Sequence, residues 1–454
     1  MALRAVPFFP CNFAAGRRVY NSNGKLWNEG WGAERMIHKK TRIALLSTAL
    51  LLTLAACAEP DAGMDLQQRR QAAEAVDPRI VQAQNEFGMK LHRQLTEAEK
   101  AKGNQAANVV LSPYSVSTAL AIAYNGAGGN TAGEMAETLG WTSIGKDEAN
   151  AGNRALQSLL ERSGDSTELR VANSLWYRKG LALHKPFLDT VKADYRAELH
   201  STDLSGKETP DAINRWVSKQ TKGKIDKMVN GPLGQNIVAV ILNAIYFNGT
   251  WTDPFPKSST QEEPFTLADG TEAKVPMMRQ TGSYAYAENE AWQAIRLPYG
   301  DGRMAMLVVL PKERSSLDEL HERLWTDSSE WRKPFEHATV DIRLPRFKTE
   351  GAWRLNEPLA GLGMRDAFDP SRADFSALAD IRPLYINEVA HKVYIDVNEE
   401  GTEAAAATSV GIATSGPPER PLEMTVNRPF FFAIEDTQTK AWLFVGSIGN
   451  PAES

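Results

Sequence analysis

The side chains that most often carry chemistry are sparse in this 454-residue sequence and are not spaced for it. None of the seven histidines stands four residues from another, the spacing that sets two imidazoles on one helical face for a metal. The two cysteines, Cys11 and Cys57, both lie near the start, so no thiol pair is available for zinc or for a disulfide framework further on. Val445-Gly446-Ser447-Ile448-Gly449 comes nearest to a nucleophile elbow and fails at its first position, where glycine is required. No glycine-rich phosphate loop is present. These spacings argue against an enzyme, a cofactor or a metal. The remaining chemistry is that of the backbone itself.

That chemistry concentrates in Asn398-Glu399-Glu400-Gly401-Thr402-Glu403-Ala404-Ala405-Ala406-Ala407-Thr408. Alternate residues from Thr402 read Thr402, Ala404, Ala406, Thr408, Val410, Ile412, Thr414, small or β-branched throughout and suited to an inward face. The other set carries Glu403, Ser409 and Ser415 and suits solvent. Strand side chains alternate between faces, so the pattern predicts a half-buried strand that lacks a sheet. Gly401 on one side and Pro417, Pro418 and Pro421 on the other bracket it as a loop. An alanine run alone equally reads as helix, since alanine is the best helix former. A segment fit to be both loop and strand points to a loop that inserts.

The elements that must position this segment are legible from periodicity and caps. A helix is expected over 78–95, with Asp77 as its N-cap and Ile80, Phe87, Leu91 and Leu95 on one face. Asn108-Val109-Val110-Leu111-Ser112-Pro113-Tyr114-Ser115 reads as a short strand entering a helix with proline in its first turn. Strands are expected over 171–177, 237–247, 340–347 and 390–397, and helices over 211–223 and 353–364. Asn243 interrupts an otherwise apolar strand, and a buried polar side chain needs a partner.

Taken in order from about Asp77 to Pro451, these blocks resemble the serpin family, and the Glu-Glu-Gly-Thr-Glu-Ala-Ala-Ala-Ala-Thr run resembles the reactive-loop hinge of its inhibitory members. The resemblance implies an α+β serpin fold. Its expected parts are a large central, mostly antiparallel sheet, smaller sheets, eight or nine helices and an exposed reactive loop. It assigns Glu399, Glu400, Gly401, Thr402, Glu403, Ala404, Ala405, Ala406, Ala407 and Thr408 to the hinge. Ser112, Ser115, Asn243 and His391 fall to the shutter beneath the sheet, and Trp251, Arg346 and Glu399 to the breach where insertion starts. An ion pair between Glu399 and Arg346 is expected. Strand 340–347 matches the strand beside the insertion point. Family spacing puts the reactive bond between Ser415 and Gly416, or between Thr414 and Ser415.

The implied activity is suicide inhibition. A target serine or cysteine protease would cut the loop, form a covalent 1:1 complex and be trapped as the loop inserts. The candidate residues are small, which favours elastase-like or subtilisin-like targets. A non-inhibitory carrier or chaperone on the same fold is the alternative reading. A monomer is expected, and a formal net charge of −5 without a basic stripe excludes nucleic acid as a partner.

The first 56 residues read as material outside the fold. Met36-Ile37-His38-Lys39-Lys40-Thr41-Arg42 is a basic n-region, the apolar run that follows is too short to span a membrane, and Leu54-Ala55-Ala56-Cys57 ends it. This ending resembles a bacterial lipobox. It implies diacylglycerol on Cys57 and an extracytoplasmic chain anchored to a membrane, the outer one where the host has two. A plain secretory peptide with Cys57 unmodified is the alternative. Residues 1–35 read as an upstream extension from a misassigned start, 57–77 as a polar tether, and 78–454 as a single domain.

Overall fold

The computed structural model describes residues 66–161, 167–231, 233–235, 237–402 and 420–453. Cys57, Glu403, Ala404, Ala405, Ala406, Ala407, Thr408, Thr414, Ser415 and Gly416 therefore lie outside the described residues. Helix α1 (Leu66–Glu74) precedes α2 (Pro78–Ala101). Asp77 caps α2 by accepting from the Arg79 N–H, and Pro78, whose missing N–H costs nothing in the first turn, opens it. β1 (Val109–Leu111) leads through the capping Ser112 into α3 (Pro113–Gly126), buried along almost its whole length. Then come α4 (Gly129–Thr138), α5 (Lys146–Leu160), β2 (Thr167–Arg178), α6 (Lys185–Tyr195), β3 (Glu198–Thr202) and α7 (Thr209–Gln220). The second half runs β4 (Ala239–Thr250), β5 (Gln261–Thr266), β6 (Glu272–Glu288), β7 (Trp292–Tyr299), β8 (Met304–Pro311) and α8 (Leu317–Thr326). It closes with β9 (Glu336–Pro345), β10 (Phe347–Arg354), α9 (Asn356–Gly361), β11 (Ala390–Asn398), β12 (Gly401–Thr402), β13 (Leu422–Thr425), β14 (Phe430–Asp436) and β15 (Trp442–Ile448).

The strands form two sheets, giving an α+β fold with nine α-helices among the described residues. Nine strands lie in one, in the order β1-β15-β14-β8-β7-β6-β9-β13 with β5 on β6. The 17-residue β6 makes this sheet continuous, because its successive stretches pair with β5, β9 and β7. Six strands form the other, in the order β10-β11-β12-β4-β2-β3. Phe430, Phe431 and Phe432 are fully buried, each worth about 1.5–3 kcal/mol of hydrophobic stabilisation. Their sequence shows an apolar run without alternation, as expected of a strand covered on both faces.

Three expectations are corrected. The strand over 340–347 ends at Pro345 and belongs to the nine-stranded sheet, paired with β6 and β13 rather than beside the insertion point. Alternation of Val340, Ile342 and Leu344 marks a buried face but not which sheet supplies it. Trp353 is a strand residue opposite His391, anchored by its Nε1–H to the Val110 carbonyl, so the expected helix over 353–364 shrinks to α9. The supposed tether is helical from Leu66 and packed: Arg69 is buried against Asp436, Ala72 and Ala73 touch the core, and Val76 is buried. Its polar composition hid the few contacts that hold it down.

Candidate functional site

Gly401 and Thr402 form a two-residue wedge in the six-stranded sheet. They pair antiparallel with β11 on one side (Val397 opposite Thr402) and with β4 on the other (Gly249 opposite Thr402). Gly401 has φ +149°, and a Cβ there would sit 2.0 Å from the Gly249 carbonyl oxygen. Only glycine fits that close approach. Thr402 is 1% exposed, and its Oγ1 shares a 2.7 Å hydrogen bond with the Tyr299 hydroxyl. Burial pushes that phenol far above its ordinary pKa, so it stays a neutral partner.

Around the wedge the chain is fastened tightly. Trp251 stacks on Tyr299 with ring centroids 4.3 Å apart, donates its Nε1–H to the Asn398 carbonyl and its backbone N–H to the Glu400 carbonyl. The Glu399 carboxylate is 2% exposed. The half-exposed Arg346 guanidinium holds it through two bonds, Nε at 2.7 Å and Nη2, and Thr260 donates a third at 2.6 Å. Burial alone would push this carboxyl up, but the donors from Arg346 and Thr260 outweigh it and hold the pKa below its usual range. Lys257 reaches the neighbouring Glu400 at 2.5 Å.

Beyond Thr402 the described residues show no ladder between β11 and β4. At the far ends of the two strands a cavity of about 440 Å³ opens between them, floored by Leu120 and Ala123 of α3 and flanked by Ile241, Leu242 and His391.

One buried hydrogen-bond chain crosses under this opening. The Ser112 N–H donates to His391 Nε2 at 3.0 Å, and the Ser112 hydroxyl donates to the Leu443 carbonyl while accepting from the Ser115 N–H. The Ser115 hydroxyl donates to Asn243, whose amide donates to Asn173 at 2.6 Å, and Asn173 donates on to the Tyr195 carbonyl at 2.8 Å. Desolvation pushes the His391 pKa down to about 4, leaving a neutral imidazole able to accept. The chain thus ties β11, α3, β4 and β2 together across the gap.

The structure brings the expected residues into two groups: Trp251, Arg346 and Glu399 at the mouth of the opening, and Ser112, Ser115, Asn243 and His391 beneath it. Sequence reasoning missed Asn173, which interrupts an apolar strand as Asn243 does and was readable on that signal. It also missed Tyr299, Thr260 and Lys257, for which no local signal exists.

A family model described as "Serpin (serine protease inhibitor)" matches residues 82–451. An uncharacterized serpin-like protein of Thermococcus kodakarensis is 37% identical over 82% of this chain and 86% of its own. The leukocyte elastase inhibitor of Homo sapiens is 34% identical over 81% of this chain and 98% of its own. Among solved structures, the thermophilic serpin tengpin in the native state superposes with a TM-score of 0.75 at 32% identity, covering 83% of this chain and 95% of that one.

Proposed function

The chain belongs to the serpin family, and from that premise we propose that it is a single-use inhibitor of serine proteases that traps its target by loop insertion. The observation that carries this reading is the wedge itself. Gly401 and Thr402 already occupy ladder positions between β11 and β4, and a cavity opens between the far ends of the same two strands.

In the proposed cycle the protease hydroxyl attacks the carbonyl carbon of Ser415, or of Thr414. The peptide bond to the next residue breaks, its nitrogen leaves as a protonated amine, and the acyl group stays on the enzyme as an ester. The freed segment from Gly401 to Ser415, about 14 steps of ~3.3 Å, supplies roughly 46 Å of strand. Insertion of Ala404 and Ala406 behind Thr402 would carry the ester to the far end of the sheet before water reaches it. A cysteine protease would follow the same course through a thioester. The hinge, breach and shutter residues take distinct parts in this scheme. Gly401 permits entry, Glu399 and Arg346 hold the mouth, and the chain from His391 to Asn173 must part and re-form as a new strand passes.

Small residues at the reactive bond favour elastase-like or subtilisin-like targets, and Arg420 and Arg428 are each followed by proline, which disfavours trypsin-like cleavage. Cys57 would carry the lipid anchor; diacylglyceryl-cysteine in the mass of the N-terminal peptide tests that part, and a free thiol there refutes it.

The decisive experiment is electrophoresis after mixing with an elastase-like enzyme. The native sequence should give an SDS-stable complex. Thr402→Arg puts a charge against buried Tyr299, costing several kcal/mol if unpaired, and should give cleaved product with active protease. A chain that is cut without forming any complex, and gains no thermal stability on cleavage, is a carrier instead.

A further inference from the structure

A second buried imidazole chain lies away from the sheet opening, between α2, α8 and β15. Its hydrogen positions follow from its partners. The Trp325 Nε1–H can only donate, so His92 Nδ1 accepts it at 3.1 Å. Burial holds both histidines neutral: His92 well below its ordinary pKa, and His321 down to about 3. His92 Nε2 therefore carries its ring hydrogen and donates to Ser447 Oγ at 3.2 Å. The Ser447 hydroxyl in turn donates to His321 Nε2 at 2.6 Å. The remaining hydrogen sits on His321 Nδ1. Among the described residues it has no acceptor, although His321 is 1% exposed, and the buried Thr96 hydroxyl is likewise without a partner.

Both residues line a cavity of about 340 Å³, a size typical of small-molecule sites. The charges around it are unequal in what they leave open. Lys100 pairs with Asp318 at 2.5 Å, and Asp269 is taken up by the N–H and hydroxyl of Thr271. Arg428 has no such partner. Among the described residues this half-buried side chain donates Nε to the Pro311 carbonyl and Nη1 to Asn427 Oδ1, Nη2 makes no bond, and Glu313 acts on it only from beyond ion-pair distance. What the wall offers among the described residues is thus one cation with no carboxylate bonded to it, a buried N–H and a hydroxyl without partners, set among Val109, Pro311, Leu317 and Pro429.

We propose that this cavity binds a small amphipathic carboxylate, its oxygens taking up the donors that Arg428 and His321 leave open and its hydrocarbon lying on Val109, Pro311, Leu317 and Pro429. Buried donors without acceptors are rare in folded proteins, and a missing ligand is one reason for them. A neutral occupant would leave the guanidinium without a bonded anion, and a cation would face it.

The test uses hexanoate on the intact protein, with 1-hexanol and hexylamine as neutral and cationic controls of the same length. Calorimetric titration should show saturable 1:1 binding of hexanoate, at least about tenfold tighter than 1-hexanol, and none of hexylamine. Arg428→Gln, in a half-buried loop position, should weaken hexanoate by about tenfold or more. In protein labelled with ¹⁵N-histidine, hexanoate should move the His321 Nδ1–H resonance, which is assigned by its loss in His321→Leu. No saturation, equal binding of the alcohol, or binding that leaves the His321 resonance unmoved would each overturn the assignment. Protease inhibition enters none of these readouts, so this site and the inhibitor reading fail independently.

Discussion

Among the described residues, two buried hydrogen-bond chains are built from histidine and serine, and they end differently. The chain under the sheet, from His391 through Ser112, Ser115 and Asn243 to Asn173, closes on the carbonyls of Leu443 and Tyr195. The chain beside α8, from Trp325 through His92 and Ser447 to His321, stops at an N–H that no described residue receives. A closed chain spends its hydrogen bonds on holding elements together, here the four elements that flank the opening. An open chain at a cavity wall leaves bonding capacity for something outside the fold. The difference separates a fastening from a candidate binding site although the residue types are the same.

Acid should act on both chains and produce the largest effect. The folded pKa values of His391, about 4, and His321, about 3, lie below the unfolded value near 6.5, so the unfolded chain binds the extra protons. Stability is then fully present above pH ~6.5 and falls as pH drops towards 4, by about 1.4 kcal/mol per unit for each buried histidine. Urea midpoints at pH 7, 6 and 5 check the slope, and His391→Gln should remove one histidine's share. A slope of zero over this range would mean the imidazoles are not buried as neutral rings.

Breaking the closed chain in its middle comes next. Asn243→Ala strands the Ser115 hydroxyl and the Asn173 side chain, and should cost about 2–3 kcal/mol in chemical denaturation. Because that chain spans the opening, the variant should also convert to a loop-inserted or polymeric form faster on warming, as native gels would show.

The mouth should be milder. Arg346→Ala leaves the buried Glu399 carboxylate to Thr260 alone, but the guanidinium is half in water, so a loss of about 1–2 kcal/mol is expected. Thermal melting at low and high salt measures it. The smallest effect belongs to the open chain. His321→Leu removes an orphan donor while depriving Ser447 of an acceptor, and the two should leave stability within about 1 kcal/mol of the native sequence at pH 7. A cost as large as that of Asn243→Ala would erase the distinction between the chains.

The sequence by itself carried the order of the elements and, among the described residues, the groups at the mouth of the opening and beneath it. The caps at Asp77 and Ser112, the apolar run of Phe430, Phe431 and Phe432, and the alternation ending at Gly401 are local, set by backbone sterics and side-chain period. Asn243, a polar residue embedded in an apolar strand, announced buried bonding before its partners were known, and Asn173 was readable in the same way, whereas His391 came from the family resemblance alone. Other features had no local signature. Arg69 looks like one more charge in a polar stretch until Asp436, far along the chain, receives it in a buried pair. Val340, Ile342 and Leu344 alternate equally well for either sheet. Ser447, read from sequence only as a failed nucleophile elbow, becomes the link between two imidazoles that α2 and α8 bring together. Periodicity and caps depend on neighbours a few residues away. Which sheet a strand joins, and which buried donor finds an acceptor, depends on contacts between segments hundreds of residues apart, and only the packed structure decides those.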